Sequence, residues 1–297
     1  MRRNQMKITN NLGLPEALVM ACQTSPHNSP NSVSATTLLK GVREIVLTKR
    51  HWGEMTDDVS NRIWALFGTA VHSLLEHETP DTFTEEFLHV NVDNYRVTGR
   101  IDCYDMTNGI VHDYKTASVW KVIKGDFEDW RKQGLTYAWL LKENGFPVSE
   151  CRFTALLKDH SKSKARHERG YPQTPVYVYQ FTVTDEDLKE IEGVIRAKVI
   201  ELDKCNGLAD DQLPMCTDSE RWAKPTTWAV MKEGRKTALR VFEDKELADK
   251  YLEGIDDKKA YIEERKGTDG KCPEYCSCCA FCDYWKKNYG GNEAVAE

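Results

Sequence analysis

The chain has 297 residues, enough for one elaborated domain or two ordinary ones. Its 40% hydrophobic and 30% charged residues are typical of a folded globular protein, and the absence of an apolar run of about 20 residues argues against a membrane-spanning helix. The net charge of −6 excludes attraction to nucleic acid over the whole surface, although a local basic groove stays compatible with it. Because no apolar segment follows the basic start MRRNQMKITNNLG, we expect no secretory signal and a cytoplasmic protein.

The predicted elements begin after a Ser-, Pro- and Asn-rich stretch, and we expect residues 1–33 to be a flexible segment. Apolar spacings of three and four predict helices from Ser34 and over Val59–His77. β-branched and aromatic residues predict two strands over Phe83–Asp105. Asn108-Gly109 is the strongest short signal for a hairpin turn, before a third strand.

The third strand and the later elements follow in chain order. We predict a strand over Ile110–Lys115, a helix over Phe127–Leu141, strands over Cys151–Leu157 and Val176–Val183, and helices over Asp185–Asp203 and Asp244–Glu263. A helix, three strands, a helix and a strand in this order predict an α/β or α+β fold, in which helices cover a mixed sheet.

Three charged residues beside the predicted hairpin indicate a reaction centre: Asp102, Asp113 and Lys115. A two-residue loop at Asn108-Gly109 would pair Asp102 with Lys115, whereas a four-residue loop, Met106–Gly109, would pair Asp102 with Asp113. Side chains alternate along a strand, so either loop puts all three on one face of the ribbon. Directly opposed Cβ atoms lie about 5 Å apart. Two carboxylates and one ammonium therefore converge in one patch.

Two carboxylates this close repel each other and lose hydration on burial unless a cation compensates. Mg²⁺ prefers oxygen ligands and is commonly held by one or two carboxylates together with substrate phosphate. Lys115 could then orient or help to deprotonate the attacking water, or stabilise charge that develops on the phosphate. This is the chemistry of phosphodiester hydrolysis. The alternative is a solvated strand edge, against which the matching position of Asp102 argues.

Four short motifs occur in a characteristic order. They are Gly68-x-x-x-His72 on a predicted helix, Gly99-x-x-Asp102, Asp113-Tyr114-Lys115 on a strand, and Gln133-x-x-x-Tyr137 on the following helix. As a set, over roughly residues 35–185, they resemble the PD-(D/E)xK nuclease superfamily, and specifically its RecB-like exonuclease branch. That branch includes phage recombination exonucleases and the nucleases of CRISPR adaptation.

The resemblance implies a nuclease core over residues 34–205, with a central mixed sheet flanked by helices, and a C-terminal helical and Cys-rich region over 206–297 packed on that core. It implies catalytic roles for Asp102, Asp113 and Lys115. It implies that one or two Mg²⁺ or Mn²⁺ ions are bound by His72, Asp102, Asp113 and the backbone carbonyl of Tyr114. It also implies that Gln133 and Tyr137 bind and position the substrate strand.

The cysteines near the end of the chain are clustered, with five of the ten between Cys272 and Cys282. Several members of the branch hold a four-cysteine [4Fe-4S] cluster, which the tail KCPEYCSCCAFC resembles. The usual pattern of these members takes one cysteine from the N-terminal side and three from the tail. In this chain the only early cysteine, Cys22, lies in the segment expected to be flexible. We therefore predict that Cys216 takes its place and that the ligands are Cys216, Cys272, Cys276 and Cys282. The spacing of Cys276, Cys279 and Cys282 is an alternative close to that of ferredoxins. Four thiolates equally suit Zn²⁺, and reduced, unligated thiols are the third interpretation.

Candidate DNA contacts follow from charge and aromatic content. The basic segment Lys158–Arg169 is either a solvated loop or a grip on phosphates, and a second cationic group lies closer to the third strand: Lys121, Lys124, Arg131 and Lys132. Trp120 and Trp130 are candidates for stacking on unpaired bases or for the core.

The sequence thus predicts a Mg²⁺- or Mn²⁺-dependent deoxyribonuclease, an exonuclease rather than an endonuclease, acting in phage or mobile-element recombination or repair. The expected partners are DNA with linear ends, single- or double-stranded, a recombination or single-strand annealing protein, and further copies of the chain in a homo-oligomer; no membrane is expected. Two alternatives stay open. One is a degenerate core that serves as a DNA-binding or complex-assembly module, and the other is an iron–sulfur redox sensor.

Overall fold

The chain divides into two units, residues 1–208 and residues 209–297. This division lies three residues after the boundary predicted from the sequence. The computed structural model describes residues 6–23, 31–76, 83–84, 87–255 and 257–290. Within these ranges, no helix combines the length and the apolar character needed to cross a bilayer.

Along the first unit, groups of helices alternate with groups of strands. Its helices are α1 Glu16–Ala21, α2 Ala35–Leu38, α3 Val42–His51, α4 Val59–Glu76, α5 Val119–Lys124, α6 Glu128–Glu143, α7 Lys162–His167 and α8 Asp185–Lys204. Its strands are β1 Lys7–Thr9, β2 Ser32–Ser34, β3 Thr56–Asp58, β4 Phe83–Thr84, β5 Phe87–Val92, β6 Tyr95–Arg100, β7 Cys103–Asp105, β8 Ile110–Ala117, β9 Glu150–Leu157 and β10 Val176–Thr182.

The main sheet has the strand order β10-β9-β8-β7-β4. Strands β8 and β9 are parallel, and the other neighbours are antiparallel. A second sheet has the order β2-β6-β5, and β1 pairs with β3. The chain between the parallel strands contains α5 and α6, as a parallel connection requires. The predicted α/β class with a mixed sheet and flanking helices is confirmed.

Helix α6 packs tightly against the main sheet through residues that are buried on nearly every side. Strand β9 alternates strictly, so that Phe153 lies on a fully buried face. The helix approaches this face at Gly134, where an added Cβ would lie only 2.9 Å from the ring of Phe153. The missing side chain therefore sets the distance between α6 and the strands that it covers.

Replacing Gly134 by Ala is expected to lower the free energy of unfolding by about 1 to 3 kcal/mol, because the added methyl group overpacks a ring that cannot move into solvent. Gly193→Ala on α8 is the matched control. No atom lies within 4 Å of a Cβ at Gly193, so the helix propensity of Ala should stabilise the protein by up to about 1 kcal/mol. Urea unfolding of both variants measures the difference, and equal effects would contradict close packing at Gly134.

Part of the segment predicted to be flexible is ordered. Strand β1 pairs in parallel with β3, and the side chain of Asp58 accepts hydrogen bonds from Thr9 and from the backbone of Asn11. Cys22, directly after α1, is 3% exposed. The Ser-, Pro- and Asn-rich stretch at 24–30 lies outside the described residues. The composition of that stretch does not apply to the residues before it, which form β1 and α1.

The second unit is built on small antiparallel sheets. Its helices are α9 Asp218–Arg221, α10 Lys245–Glu253 and α11 Asp283–Asn288, and its strands are β11 Ala223–Lys224, β12 Thr227–Lys232, β13 Arg240–Phe242, β14 Ala260–Arg265 and β15 Thr268–Asp269. One sheet has the order β13-β12-β14, and β11 pairs with β15. The helix predicted over Asp244–Glu263 is too long. It ends at Glu253, because Gly254 follows and β14 gains a full ladder of hydrogen bonds beside β12.

Candidate active site

The hairpin that carries the acidic residues turns through Met106–Gly109, the four-residue loop, and Asn108-Gly109 is not a two-residue turn. Asp105 pairs with Ile110, and Gly109 has a φ of +68° that few other residues tolerate. The carboxylate of Asp105 accepts hydrogen bonds from the backbone of Thr107 and Asn108, which stabilises the longer loop.

Asp102 lies one residue before β7 and opposite Asp113 in the register that Cys103 and His112 define. Its Oδ2 accepts a hydrogen bond of 2.8 Å from the backbone N–H of Tyr114. Its Oδ1 lies 3.1 Å from Nδ1 of His72, which α4 supplies. This hydrogen bond raises the pKa of His72, with smaller contributions from the charges of Asp102 and Asp113 and from the backbone of Tyr114, against the opposing effect of burial.

Asp113 is the most deeply buried charged group of the site, with only 2% of its surface exposed. Burial raises its pKa to about 6, against the favourable charge of Lys115 and with the added repulsion of Asp102. Nζ of Lys115 lies 2.5 Å from Oδ1 of Asp113. This ion pair offsets part of the cost of burying the carboxylate.

Gln133 and Tyr137 lie one turn apart on α6, as their spacing of four requires. Nε2 of Gln133 donates hydrogen bonds to Oδ2 of Asp113, at 3.2 Å, and to the hydroxyl of Tyr137, at 2.9 Å. Both side chains are buried. Here they orient the carboxylate of Asp113; their predicted contact with a DNA strand stays a prediction.

The donor set suits a hard divalent cation. Carboxylate oxygens of Asp102 and Asp113, the imidazole of His72 and the carbonyl of Tyr114 converge from three elements. Among the described residues, no group of three or more His, Cys, Asp or Glu side chains has the geometry to hold a metal ion as it stands. Lys115 and His72 instead neutralise the two carboxylates.

The other predicted DNA contacts fall into separate groups. Arg131 is engaged within the protein, 2.5 Å from Asp187, and Lys121 is likewise 2.5 Å from Asp129. Trp130 is 6% exposed and belongs to the core, whereas Trp120 is 59% exposed. The basic segment is not a plain loop, because it contains α7.

Two residues near the site escaped the sequence analysis. Asp159 accepts hydrogen bonds from the hydroxyl of Ser118 and the backbone of Val119, and so fastens the start of α5 to the end of β9. Trp64 lies on α4 in an exposed position. Its spacing of four from Gly68 places it on the same side of the helix as the first motif, and this signal in the sequence could have identified Trp64 as a candidate.

The predicted cysteine ligands all belong to the second unit, and among the described residues they do not form a group with the geometry to hold a metal ion. Burial raises the pKa of Cys272 to about 12, and the charges of Asp269, Cys276, Cys216 and Cys282 add to this effect. Cys279 also has a raised pKa, through burial and its neighbours Cys276 and Cys282. All ten cysteines lie in the described part of the chain, and none of them forms a disulfide. If these thiols were deprotonated, they would repel one another, and a cation that binds thiolates would offset that repulsion, so the donor chemistry suits an iron–sulfur cluster or Zn²⁺.

A buried carboxylate connects the segments that carry these thiols. Asp269 accepts hydrogen bonds from Nε of Arg221, at 3.1 Å, from the hydroxyl of Tyr284, at 2.7 Å, and from that of Tyr289, at 2.9 Å. Arg221 also donates to the backbone carbonyl of Cys216. The network thus joins the surroundings of Cys216 to the segments before and after the cysteine-rich tail.

Comparison with known proteins finds similarity in fold. No model of a known protein family matches the chain, and no curated protein matches it. Similar solved structures are SSO0001 (16% identity, 62% of this chain and 83% of that chain, TM-score 0.44), the alkaline exonuclease LHK-Exo from Laribacter hongkongensis (13%, 59% and 89%, 0.38) and a phage-related exonuclease from Haemophilus somnus 129PT (13%, 56% and 74%, 0.30).

Two of these three proteins are named as exonucleases. The likeness concerns the fold, and each TM-score is below 0.5. The chemistry of the site therefore rests on this chain's own residues.

Proposed function

We propose that this protein is a divalent-metal-dependent DNA exonuclease of the PD-(D/E)xK type. The observation that carries the proposal is the buried carboxylate of Asp113, which lies in one patch with Asp102, His72 and Lys115. Burial of two neighbouring carboxylates is costly, and Lys115 and His72 offset part of that cost. A divalent cation would offset more of it, and its remaining coordination positions suit a substrate phosphate.

The ligands in this proposal are the carboxylates of Asp102 and Asp113, His72 and the carbonyl of Tyr114. When bound there, Mg²⁺ or Mn²⁺ would supply a Lewis acid for the scissile phosphate. The hydrogen bond from His72 and the backbone N–H of Tyr114 hold Asp102 in one orientation. Gln133 does the same for Asp113. Preorganisation of this kind lowers the reorganisation needed during the reaction.

Lys115 has two roles in succession. Its ammonium neutralises Asp113, 2.5 Å away. With a metal bound to the carboxylates, the same ammonium would be available to orient the attacking water and to face the charge that develops on the phosphate. A lysine is suited to this change because its stem is flexible and its charge is compact.

For the second unit we propose a structural metal site with Cys216, Cys272, Cys276 and Cys282 as ligands, a [4Fe-4S] cluster in the first place and Zn²⁺ as the alternative. After burial and the charge of Asp269, the other three thiols also contribute to the raised pKa of Cys272, and this supports the set. Asp269 and its partners would hold the ligand segments in place.

Digestion of end-labelled DNA tests the nuclease proposal. We expect Mg²⁺-dependent release of nucleotides from linear DNA and no release from covalently closed circles, because an exonuclease must start at an end. Linear and circular forms of one plasmid, each with Mg²⁺ or EDTA, provide the comparison. Cleavage of the circles would establish endonuclease action instead. Intact DNA in every reaction, from protein whose fold is verified by circular dichroism, would contradict the proposal.

A further inference from the structure

Helix α4 exposes two large aromatic side chains beside each other. Trp64 is 59% exposed and Phe67 is 44% exposed, and their rings meet edge to face with centroids 6.3 Å apart. We call this pair the Trp64 platform. Burial of such rings would stabilise the protein, so a contiguous aromatic surface left in water is an informative exception. Rings at this exposure retain a face on which another flat group can stack.

The platform lies along the same helix as His72. Trp64, Gly68 and His72 are spaced by four and share one face of α4. Gly68 faces β8, since a Cβ added there would lie 3.4 Å from Oγ1 of Thr116, the residue after Lys115. Eight residues of helix separate Trp64 from His72 by about 12 Å, the length of three to four stacked nucleotides at 3.4 Å each.

A positive charge accompanies the platform. Nζ of Lys158 lies 4.0 Å from the centroid of the Trp64 ring. Lys158 directly follows β9, and its backbone N–H donates to the carbonyl of Ala117 at the end of β8. The platform and this ammonium therefore lie by the carboxyl ends of the two parallel strands. An aromatic face with an adjacent cation is the combination that binds single-stranded nucleic acid, because the ring stacks on a base while the cation attracts the backbone.

We propose that Trp64 stacks on an unpaired nucleobase of the DNA strand that enters the site of Asp102 and Asp113, while Lys158 binds a neighbouring phosphate. This inference rests on the proposed nuclease function and specifies its substrate. Bases inside a duplex have both faces covered by their neighbours, and a blunt end leaves open only one face of its terminal pair, so the platform suits an unpaired strand better. The protein therefore favours single-stranded DNA or frayed ends over blunt duplex ends.

Binding without cleavage tests the contact directly. In EDTA, fluorescence anisotropy of a labelled single-stranded oligonucleotide should show that Trp64→Ala weakens binding about tenfold, whereas Trp64→Phe, which keeps an aromatic face, stays within about threefold of the wild type. Tyr261→Ala, at a 47% exposed aromatic position on β14 of the second unit, is the control and should bind like the wild type. Equal losses for blunt duplex and single strand in Trp64→Ala would overturn the proposal.

Abasic positions in the oligonucleotide, combined with Trp64→Ala in the protein, form a double-mutant cycle that tests the stacking contact. They are introduced one position at a time. If Trp64 stacks on one base, a single position exists where removal of the base costs the wild type about tenfold and costs Trp64→Ala almost nothing. Independent losses at every position would overturn the stacking contact, even for an active nuclease. Conversely, coupling at one position in a protein that cleaves no DNA with Mg²⁺ would retain the contact and refute the nuclease proposal.

Discussion

Asp113→Asn and Lys115→Met are each expected to lower Mg²⁺-dependent hydrolysis of linear DNA by about 10²- to 10⁴-fold. Asn keeps the shape of the side chain but removes the charge that would hold the cation, and Met keeps the length of the lysine stem without its ammonium. The rate of nucleotide release from end-labelled linear DNA at saturating Mg²⁺ measures both effects. If Asp113 is a metal ligand and Lys115 acts on the reacting groups, both variants lose activity.

Asp185→Asn is the control, because it makes the same chemical change at a position on α8 whose side chain is 77% exposed. Its activity should equal that of the wild type. A second measurement separates lost metal binding from lost chemistry. Mg²⁺ at 100 times its dissociation constant should stabilise the wild type by about 2.7 kcal/mol, and this thermal shift should disappear in Asp113→Asn but persist in Lys115→Met.

Normal activity in Asp113→Asn, with the fold intact, would remove that carboxylate from the mechanism. Normal activity in Lys115→Met alone would leave a metal site at which the lysine serves only to neutralise Asp113. A thermal shift of equal size in all the proteins would locate the Mg²⁺ elsewhere.

Cys272→Ala is expected to eliminate bound metal from the second unit and to destabilise that unit strongly. A structural metal site contributes on the order of 10 kcal/mol of binding free energy, which is coupled to folding. Protein purified without oxygen should contain iron and sulfide, with a visible absorbance band, or else zinc, and the variant should contain neither. Metal analysis together with limited proteolysis of residues 209–297 measures both consequences.

Two neighbouring cysteines are matched controls. Cys278 is 1% exposed and lies outside both proposed ligand sets, although its Sγ lies 3.6 Å from that of Cys276. Cys278→Ala should therefore retain the metal, and loss of the metal would add Cys278 to the ligands. Cys279→Ala separates the sets: it retains metal if Cys216, Cys272, Cys276 and Cys282 are the ligands, and loses it if Cys279 completes the ferredoxin-like spacing. A wild-type protein without iron or zinc would identify the cysteines as unligated thiols. Full nuclease activity of a protein whose second unit has lost its metal would favour a sensory role for the cluster over a structural one.

Much of the candidate site followed from local alternation. The two loops considered for the hairpin differ in register by two residues, and a shift of two preserves the face on which each side chain lies. The shared face of Asp102, Asp113 and Lys115 therefore did not depend on the choice between them. The spacing of four in Gln133 and Tyr137 likewise needed only the geometry of a helix, and the amide of Gln133 does reach the phenol of Tyr137.

The choice of loop depended on contacts that the Asn-Gly signal does not include. Asp105 accepts hydrogen bonds from the turn, and the backbone of Ser149 donates to the carbonyl of Gly109 from a distant part of the chain. In the second unit, the apolar periodicity that predicted one helix over Asp244–Glu263 continued into β14, because alternation in a short strand and spacing in a helix are difficult to separate. Pairing with β12 decided between them.

The sequence by itself determined the classes of element, the shared face of the hairpin and the chemistry that its residues can perform, because these depend on neighbours within a few positions along the chain. Only the tertiary structure decided that Asp113 is buried with Gln133 and Lys115, that His72 on α4 reaches Asp102, and that Lys158 lies over Trp64. Those distances depend on how helices and strands tens of residues apart pack together, and side-chain packing is a property of the whole unit.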